Sequence, residues 1–330
     1  MSATLTLPPG AELCHLPTRW ALERGGSLDG AVLAFERQGP RDAPVVVVLG
    51  GISAGRHVSA HERVPGDGWW QGIVGAGCAI DTARYQVLSF DWLGGAGQST
   101  APAAGESFPF VGTEDQARAL RHLLDALRIE QLHAFVGSSY GGMVGLQFAA
   151  LAPGRLARLA AIAAPHQSLV QASAWRAVQR GIVELGLRTG TGREALSLAR
   201  QLAMTTYRTP DELRERFPGE PSFEGGHVCF PVESWLEARG VDFAKRWLPE
   251  QFLCLCQSID AHRVEPGRIR VATSLLAFAG DQLVPPAQVL ELALALPDLR
   301  AHRELRSRYG HDAFLKEPEL VGAFVRGVLA

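Results

Sequence analysis

The sequence lacks the features that mark membrane-spanning, nucleic-acid-binding and disulfide-stabilised proteins. It contains no run of about 18 apolar residues, the length needed to cross a bilayer as a helix. Lys and Arg number 32 against 34 Asp and Glu, so the formal net charge is −2 and no overall positive field exists to hold nucleic acid or an anionic membrane. The five cysteines are odd in number, scattered and without CxxC spacing, which argues against a disulfide framework and a zinc site.

Two further absences concern location and metal. The first twenty residues show no basic segment followed by an apolar stretch of signal-peptide length, and the cysteine pattern is typical of a reducing compartment. Cys254 and Cys256 lie in the apolar stretch QFLCLCQSI, where cysteine usually behaves as a small buried hydrophobe. We therefore expect a cytoplasmic protein without a metal centre.

What the sequence does contain is an alternation of apolar strands and amphipathic helices. The run VVVVL at Val45–Leu49 continues without polar alternation, which is typical of a strand covered on both faces of its sheet. Further strands are predicted at residues 85–90, 133–136, 159–163, 274–279 and 299–305. Helices are predicted after an N-cap at Thr113, from near Gly142, and at residues 287–296 and 318–329. This alternation predicts the α/β class, with a mostly parallel sheet flanked by helices.

The pattern changes between Pro165 and Cys256. This stretch contains mostly helical segments, among them residues 194–204 and 232–238, separated by the Gly- and Pro-rich breaks RTGTG and FPGEPSFEGG. The sheet pattern resumes after it. We therefore predict one core made of residues 1–164 and 257–330, interrupted by a helical lid at residues 165–256.

The most informative segment is GSSYGG at residues 137–142, which fits G-x-S-x-G and lies between a predicted strand and a predicted helix. A sharp strand-to-helix turn forces the central serine, Ser139, into a strained backbone, and bulky neighbours two positions away would collide. Gly137 and Gly141 relieve those collisions. Ser139 is therefore predicted to project from the carboxyl end of the sheet as a nucleophile, with the N–H of Tyr140 placed to stabilise an oxyanion.

A serine hydroxyl is a weak nucleophile, so this prediction requires a histidine base and a carboxylate that orients the base. In this kind of fold the chain order is serine, acid, histidine. Asp281 directly follows the apolar run SLLAFAG, and His311 in YGHDAF follows the next predicted strand. The other candidate histidines fail on position. His302 falls within a predicted strand, and the rest precede the acid: His57, His61, His122, His133, His166 and His262. The predicted triad is Ser139, Asp281 and His311.

In its longer motifs the chain resembles the homoserine O-acyltransferases of the α/β-hydrolase fold, which acylate homoserine from acetyl-CoA or succinyl-CoA in methionine biosynthesis. The resemblance covers nearly all of the chain and includes phrases that a typical ester hydrolase has little reason to carry. The segments that carry it are GWWQGIVGAGCAIDTARYQVLSFDWLGG, GSSYGGMVGLQFA, LSLARQLAMTTYRT, FPVESWLEARGVDFAKRW, GDQLVPP and YGHDAFL.

The resemblance implies the same triad, with Ser139, Asp281 and His311 at the family's catalytic positions. It also implies an oxyanion hole formed by the N–H groups of Ile52 and Tyr140. The reaction it implies is ping-pong acyl transfer through an acyl-serine. Acyl-CoA would be a cosubstrate, no cofactor would be permanently bound, and the assembly would be a homodimer.

Three substrate-binding residues follow from the same resemblance. Arg200, in SLARQ, matches the family's arginine and would hold the carboxylate of homoserine as a bidentate pair. Asp312 matches the family's acid and would accept the ammonium group. Tyr207 is implied as one further contact from the lid.

The choice of acyl donor stays open in the sequence. The loop GGISAGRHV, the tyrosine at position 140 and the short chain resemble a proteobacterial branch labelled homoserine O-succinyltransferase, which slightly favours succinyl-CoA. Arg56 offers a cation near the acyl pocket that would suit a succinyl carboxylate, although a solvated surface arginine is the commoner case. Leu283 is apolar where some succinyl-using members carry arginine, so the two cues conflict.

Three other functions are compatible with these residues. L-Serine as acceptor differs from homoserine by one methylene, which is worth only about 1–3 kcal/mol in a pocket. A serine esterase or other hydrolase needs the same triad but no amino-acid clamp. The third is a catalytically inactive α/β hydrolase used as a binding module.

Overall fold

The computed structural model describes residues 8–330, so residues 1–7 of the predicted core lie outside the described range. Within that range the chain forms these strands, numbered in chain order: β1 Glu12–His15, β2 Arg19–Ala21, β3 Ser27–Asp29, β4 Val32–Gln38, β5 Val45–Leu49, β6 Val74–Gly75, β7 Ile80–Asp81, β8 Gln86–Phe90, β9 Ala134–Ser138, β10 Arg158–Ile162, β11 Ser222–Glu224, β12 His227–Cys229, β13 Ala272–Ala279 and β14 Leu299–Arg306.

The helices of the same range are α1 Thr113–Ala126, α2 Tyr140–Leu151, α3 Val170–Thr189, α4 Gly192–Tyr207, α5 Pro210–Arg216, α6 Pro231–Ala244, α7 Pro249–Asp260, α8 Pro286–Ala295, α9 Ala313–Lys316 and α10 Pro318–Leu329. None of the helices in residues 8–330 is long and apolar enough to cross a membrane.

Eight strands form one sheet in the order β1-β4-β8-β5-β9-β10-β13-β14. Strand β4 runs antiparallel to both of its neighbours. The other six strands in this order, β8, β5, β9, β10, β13 and β14, are parallel to one another. The predicted α/β class is therefore confirmed. The six strands predicted from the sequence are all present, with ends shifted by at most two residues.

Both faces of the sheet are buried at its centre, which explains why β5 shows no polar alternation. Side chains alternate between the faces of a strand. Val47 and Leu49 belong to the apolar layer that contains helices α1, α2 and α8, while Val46 and Val48 belong to the opposite layer, which contains α10. Because each layer excludes water, every position of β5 is apolar.

Two predicted helix starts are wrong in detail. Helix α1 begins at Thr113 itself, with Gly112 as the residue before it. The hydroxyl of Thr113 pairs instead with Nδ1 of buried His262 at 2.9 Å, and the carboxylate of Asp115 accepts the N–H of Gly112 at 2.9 Å. Helix α2 begins at Tyr140, two residues before the predicted Gly142, because the turn is tighter than the sequence suggests.

All elements between β10 and β13 belong to one insertion, made of helices α3 to α7 and the hairpin β11–β12. The two predicted helices there are present and longer than expected, as α4 and α6. Sequence reasoning missed the hairpin, because its first strand and its turn, SFEGG, lie in the stretch FPGEPSFEGG, which the sequence analysis interprets as a Gly- and Pro-rich break. Helix α7 continues past the predicted boundary at Cys256 to Asp260. The division into core and lid stays a prediction.

Cys254 and Cys256 lie on helix α7, and all five cysteines are free thiols. Burial raises the pKa of both α7 thiols to about 12, so neither forms a thiolate near neutral pH. Their surroundings match the prediction that they pack as small hydrophobes.

Candidate active site

Ser139 occupies the sharp turn between β9 and α2. Its φ of 53° and ψ of −121° lie in a region that residues with a side chain rarely adopt. A Cβ atom at Gly137 would lie 2.4 Å from the carbonyl oxygen of Gly141, and one at Gly141 would lie 2.2 Å from that of Leu49. Both distances are far below van der Waals contact, so the turn requires glycine at each position.

The structure brings the three predicted triad side chains into one hydrogen-bonded row. Ser139 Oγ lies 2.8 Å from Nε2 of His311, and Nδ1 of His311 lies 2.7 Å from Oδ2 of Asp281. Asp281 follows the end of β13, and His311 lies in a 3₁₀ turn that follows β14. The second carboxylate oxygen of Asp281 accepts the N–H groups of Leu283 and Val284 at 2.9 and 3.0 Å, which fixes its orientation.

The charge around His311 favours its protonated form. Burial disfavours that form, but the charge of Asp281, its hydrogen bond and the charge of Asp312 outweigh burial, so the pKa of His311 lies above its ordinary value. A base with a raised pKa accepts a proton from a serine hydroxyl more readily. The arrangement can therefore generate a serine nucleophile.

Two backbone segments face the same cavity as Ser139. The cavity has a volume of about 200 Å³, and its lining includes Gly51 and Ile52 from the loop after β5, together with Tyr140. The indole N–H of Trp92 donates to the carbonyl of Gly51 at 3.2 Å, which holds the loop. The side chain of Tyr140 is buried and its hydroxyl lies 2.7 Å from that of Ser258, a contact that fixes the position of the ring.

Arg200 and Tyr207 reach the cavity from helix α4. Nη1 of Arg200 donates to the hydroxyl of Tyr207 at 3.3 Å, and the guanidinium lies over the rings of Phe243 and Tyr207 at 4.8 and 5.1 Å. Among the side chains of residues 8–330 that the structure describes, no carboxylate pairs with Arg200. This cation is oriented by aromatic rings and is available to an anionic ligand.

Asp312 also lines the cavity, but it already has a partner that sequence reasoning missed. Nη2 of Arg208 lies 3.0 Å from its Oδ2. Burial raises the pKa of Asp312 above its ordinary value, against the opposing charges of Arg208, His311 and Arg200. Arg208 directly follows Tyr207 in the chain, and no spacing pattern in the sequence singles it out. A cationic ligand at Asp312 would therefore share the carboxylate with Arg208.

Arg56 fits neither of the two alternatives that the sequence left open, a cation at the acyl pocket or a solvated arginine. Its backbone N–H donates to Oδ1 of Asp91 at 2.8 Å, and its guanidinium pairs with the same carboxylate. Arg56 is not among the residues that line the cavity, whereas Leu283 is. The guanidinium of Arg56 is therefore paired with Asp91 and does not face the cavity in which a succinyl group would bind.

Within residues 8–330 one group of side chains has the composition and spacing of metal ligands, and it lies outside the cavity. Oε1 of buried Glu36 lies 2.9 Å from both Nδ1 of His57 and Nε2 of His61, and Nε2 of His57 lies 2.7 Å from the carbonyl of Gly66. These hydrogen bonds fasten the loop after β5 to strand β4. They account for the cluster as it stands.

The fold and the strand–serine–helix turn together define an α/β hydrolase. A family model described as the alpha/beta hydrolase fold matches residues 44–318. Esterase E22, whose crystal structure covers 97% of this chain and 99% of its own, has a TM-score of 0.87 at 19% sequence identity, which concerns the fold alone.

Two curated relatives narrow this assignment. A homoserine O-succinyltransferase of Xanthomonas campestris pv. campestris is 43% identical over 97% of this chain and 83% of its own length. A homoserine O-acetyltransferase of Thermobifida fusca is 34% identical over 98% of this chain and 95% of its own. The chain belongs to the homoserine O-acyltransferase family.

Proposed function

We propose that the protein is an acyltransferase that moves an acyl group from acyl-CoA to the hydroxyl of L-homoserine, a step of methionine biosynthesis. The observation that carries the proposal is that one cavity contains a cationic side chain, an acidic side chain and the nucleophile. Arg200, which has no acidic partner among the described side chains of residues 8–330, and Asp312 line the same space as Ser139. A zwitterionic amino acid has the two charges that such a pair binds. The names of both relatives support this acceptor.

The first half of the proposed reaction acylates Ser139. His311 takes the hydroxyl proton as Oγ attacks the thioester carbonyl, and a tetrahedral oxyanion forms. The N–H groups of Ile52 and Tyr140 stabilise that oxyanion. When the C–S bond breaks, the sulfur leaves with the proton held by His311, and free CoA departs from an acyl-serine.

The second half transfers the acyl group to homoserine. Arg200 binds the carboxylate and Asp312 the ammonium group, so the side-chain hydroxyl points at the acyl-serine. His311 takes the hydroxyl proton, the new ester oxygen attacks the carbonyl, and Ser139 leaves with the proton from His311. Asp281 stabilises the imidazolium that forms in each half.

The proposed lid favours transfer over hydrolysis. Positioning of an acceptor corresponds to effective molarities that reach about 10⁵ M or more, far above the concentration of water. Helices α3, α4 and α7 of the insertion all contribute to the cavity wall. We therefore assign binding of the acceptor's carboxylate and exclusion of water to the lid, and the chemistry and the Asp312 contact to the ammonium group to the core.

The test is an assay of CoA release and of acylated product by mass spectrometry, with acyl-CoA alone, with L-homoserine and with L-serine. We expect homoserine to accelerate CoA release and to appear as O-acylhomoserine, and Ser139→Ala to abolish both signals. CoA release that is independent of amino acid and without acylated product would instead identify a hydrolase. A dominant O-acylserine product would identify a serine acyltransferase, and an inactive parent protein a binding module.

A second variant tests the amino-acid clamp. Arg200→Gln removes the charge-assisted contact to the homoserine carboxylate, worth about 1.5–3 kcal/mol, so the KM for homoserine should rise about 10- to 100-fold. Arg193→Gln is the matched control on helix α4, because Arg193 bonds to the carbonyl of Ala244 and does not line the cavity. Equal effects of the two variants on the KM for homoserine would show that Arg200 does not bind the carboxylate.

A further inference from the structure

A second arginine reaches the cavity from helix α3 and has no role in the reaction described so far. Arg176 lines the cavity together with Ser139 and His311. Its Nε donates to Oδ1 of Asp260 at 2.6 Å, and its Nη2 lies 3.4 Å from the hydroxyl of Ser173. Its Nη1 has no hydrogen-bond partner among the described side chains of residues 8–330.

The ion pair with Asp260 does not neutralise Arg176. Asp260 lies on helix α7 and binds a second arginine, Arg180, one turn further along α3. One carboxylate thus serves two guanidinium groups, which leaves a net positive charge at this wall of the cavity. The contact to Asp260 holds the Nε edge of Arg176, so the side chain is positioned while Nη1 stays open to a ligand.

The charges of the cavity wall exceed what homoserine can balance. The wall carries two permanent cations, Arg176 and Arg200, and one carboxylate, Asp312. Zwitterionic homoserine matches Arg200 and Asp312 and brings no further anion for Arg176, whose carboxylate partner, Asp260, is shared with Arg180. An acetyl group brings no charge, whereas a succinyl group brings one carboxylate at the end of a short chain. Only the second donor completes the pairing.

We propose that Arg176 is the anchor for the terminal carboxylate of a dicarboxylic acyl group, and that it selects succinyl-CoA over acetyl-CoA as donor. The proposal rests on the acyltransferase function above and assigns its donor. Arg176 takes the role that the sequence analysis considered for Arg56, which is paired with Asp91. The proximity of Arg176 to the reacting centre is consistent with its charge opposing protonation of His311.

The first test uses the parent protein and three donors with homoserine. Butyryl-CoA has the chain length of succinyl-CoA but ends in a methyl group, so it isolates the carboxylate from size. We expect kcat/KM for succinyl-CoA to exceed that for butyryl-CoA and for acetyl-CoA by at least about tenfold each. Equal use of succinyl-CoA and butyryl-CoA, or a preference for acetyl-CoA, would overturn the proposal and leave homoserine transfer intact. No O-acylhomoserine from any donor would instead refute the acyltransferase function.

The second test compares two variants that lose the same charge from helix α3. Arg176→Gln should lower the ratio of kcat/KM for succinyl-CoA to that for acetyl-CoA about 10- to 100-fold, mainly through the KM for succinyl-CoA. Arg180→Gln removes the other partner of Asp260, does not line the cavity, and should leave the ratio unchanged. A ratio that is unchanged in Arg176→Gln, or lowered equally in both variants, would mean that the arginines only brace α3 against α7. Since the ratio is internal to each preparation, partial misfolding of a variant does not alter it.

Discussion

Replacing Ser139 by glycine should make the protein more stable than replacing it by alanine, which is the reverse of the usual order. At φ 53° and ψ −121° the backbone of Ser139 is strained by its own Cβ atom. Such strain costs about 1–3 kcal/mol at a functional turn. Both variants lose the hydroxyl and its 2.8 Å hydrogen bond to His311. Only glycine also removes the Cβ atom.

The size of the effect follows from two opposing contributions. Glycine relieves the strain but makes the unfolded chain more flexible, which lowers stability by about 0.4–1 kcal/mol relative to alanine. The difference leaves Ser139→Gly ahead of Ser139→Ala by about 1 kcal/mol, and at most about 2.5 kcal/mol. In a chain of 330 residues that corresponds to about 1.5 °C, and at most about 4 °C, in the unfolding midpoint.

The assay is chemical unfolding of both variants, followed by the same spectroscopic signal and compared at equal m-value. Ser234 supplies the control, because it is an exposed serine on helix α6. There alanine should be more stable than glycine by about 1 kcal/mol. If Ser139→Ala proves at least as stable as Ser139→Gly while the Ser234 pair follows the usual order, the turn is not strained and the reasoning fails.

Three further predictions concern the same centre. Asp281→Asn removes the charge that stabilises the imidazolium, so kcat for homoserine acylation should fall about 10³- to 10⁴-fold in steady-state assays; a loss below tenfold would contradict the triad. His311 acts as a base only when deprotonated, and its pKa is raised, so kcat/KM for acyl-CoA should increase with pH through an inflection above the ordinary histidine pKa of about 6.5. Asp312→Asn removes a charge that raises this pKa, so it should move the inflection of the pH–rate profile to lower pH. Gly141→Ala places a Cβ atom 2.2 Å from the carbonyl oxygen of Leu49, so we expect loss of acylation in single-turnover assays and about 1–3 kcal/mol of destabilisation on unfolding; a fully active variant would disprove the close packing.

The central strands of the fold are predictable because their burial is uniform. In β5 every residue is apolar, so the pattern shows a strand without knowledge of its neighbours. Strand β4 escaped prediction because it buries Glu36 and Gln38. These side chains find partners on a later loop, where His57 and Ser59 lie within 2.9 Å of them. Polarity patterns cannot reveal a strand whose polar groups are satisfied by tertiary contacts.

The missed hairpin did leave a signal in the sequence. Gly225 and Gly226 both have positive φ, at 57° and 83°, between two short apolar-containing segments. Two consecutive residues with positive φ form the tight turn that matches the twist of a hairpin. A glycine pair flanked by SF and HV was therefore a turn between strands rather than a break between helices.

The site was predictable where it depends on chain order and hidden where it depends on packing. The turn at Ser139 and the loops after β13 and β14 follow from the strand sequence, so three residues far apart in the chain could be chosen by position. Arg176 and Arg208 follow no strand of the sheet, so their positions in the chain do not single them out. They enter the site because helices α3 and α4 pack over it, and their partners Asp260 and Asp312 are set by that packing.

The core alone cannot decide between hydrolysis and acyl transfer. A chain as different as esterase E22 shares the fold over 97% of this protein, so the fold alone does not specify the reaction. What differs between a hydrolase and a transferase must lie in what holds the second substrate. Here the two arginines of the cavity wall, Arg176 and Arg200, lie on helices α3 and α4 between β10 and β13, while Ser139 and His311 follow the strands β9 and β14 of the main sheet. Since the net charge of the chain is only −2, attraction for two carboxylates depends on these placed cations rather than on the field of the whole protein. Substrate choice should therefore change through α3 and α4 without change to the chemistry at Ser139.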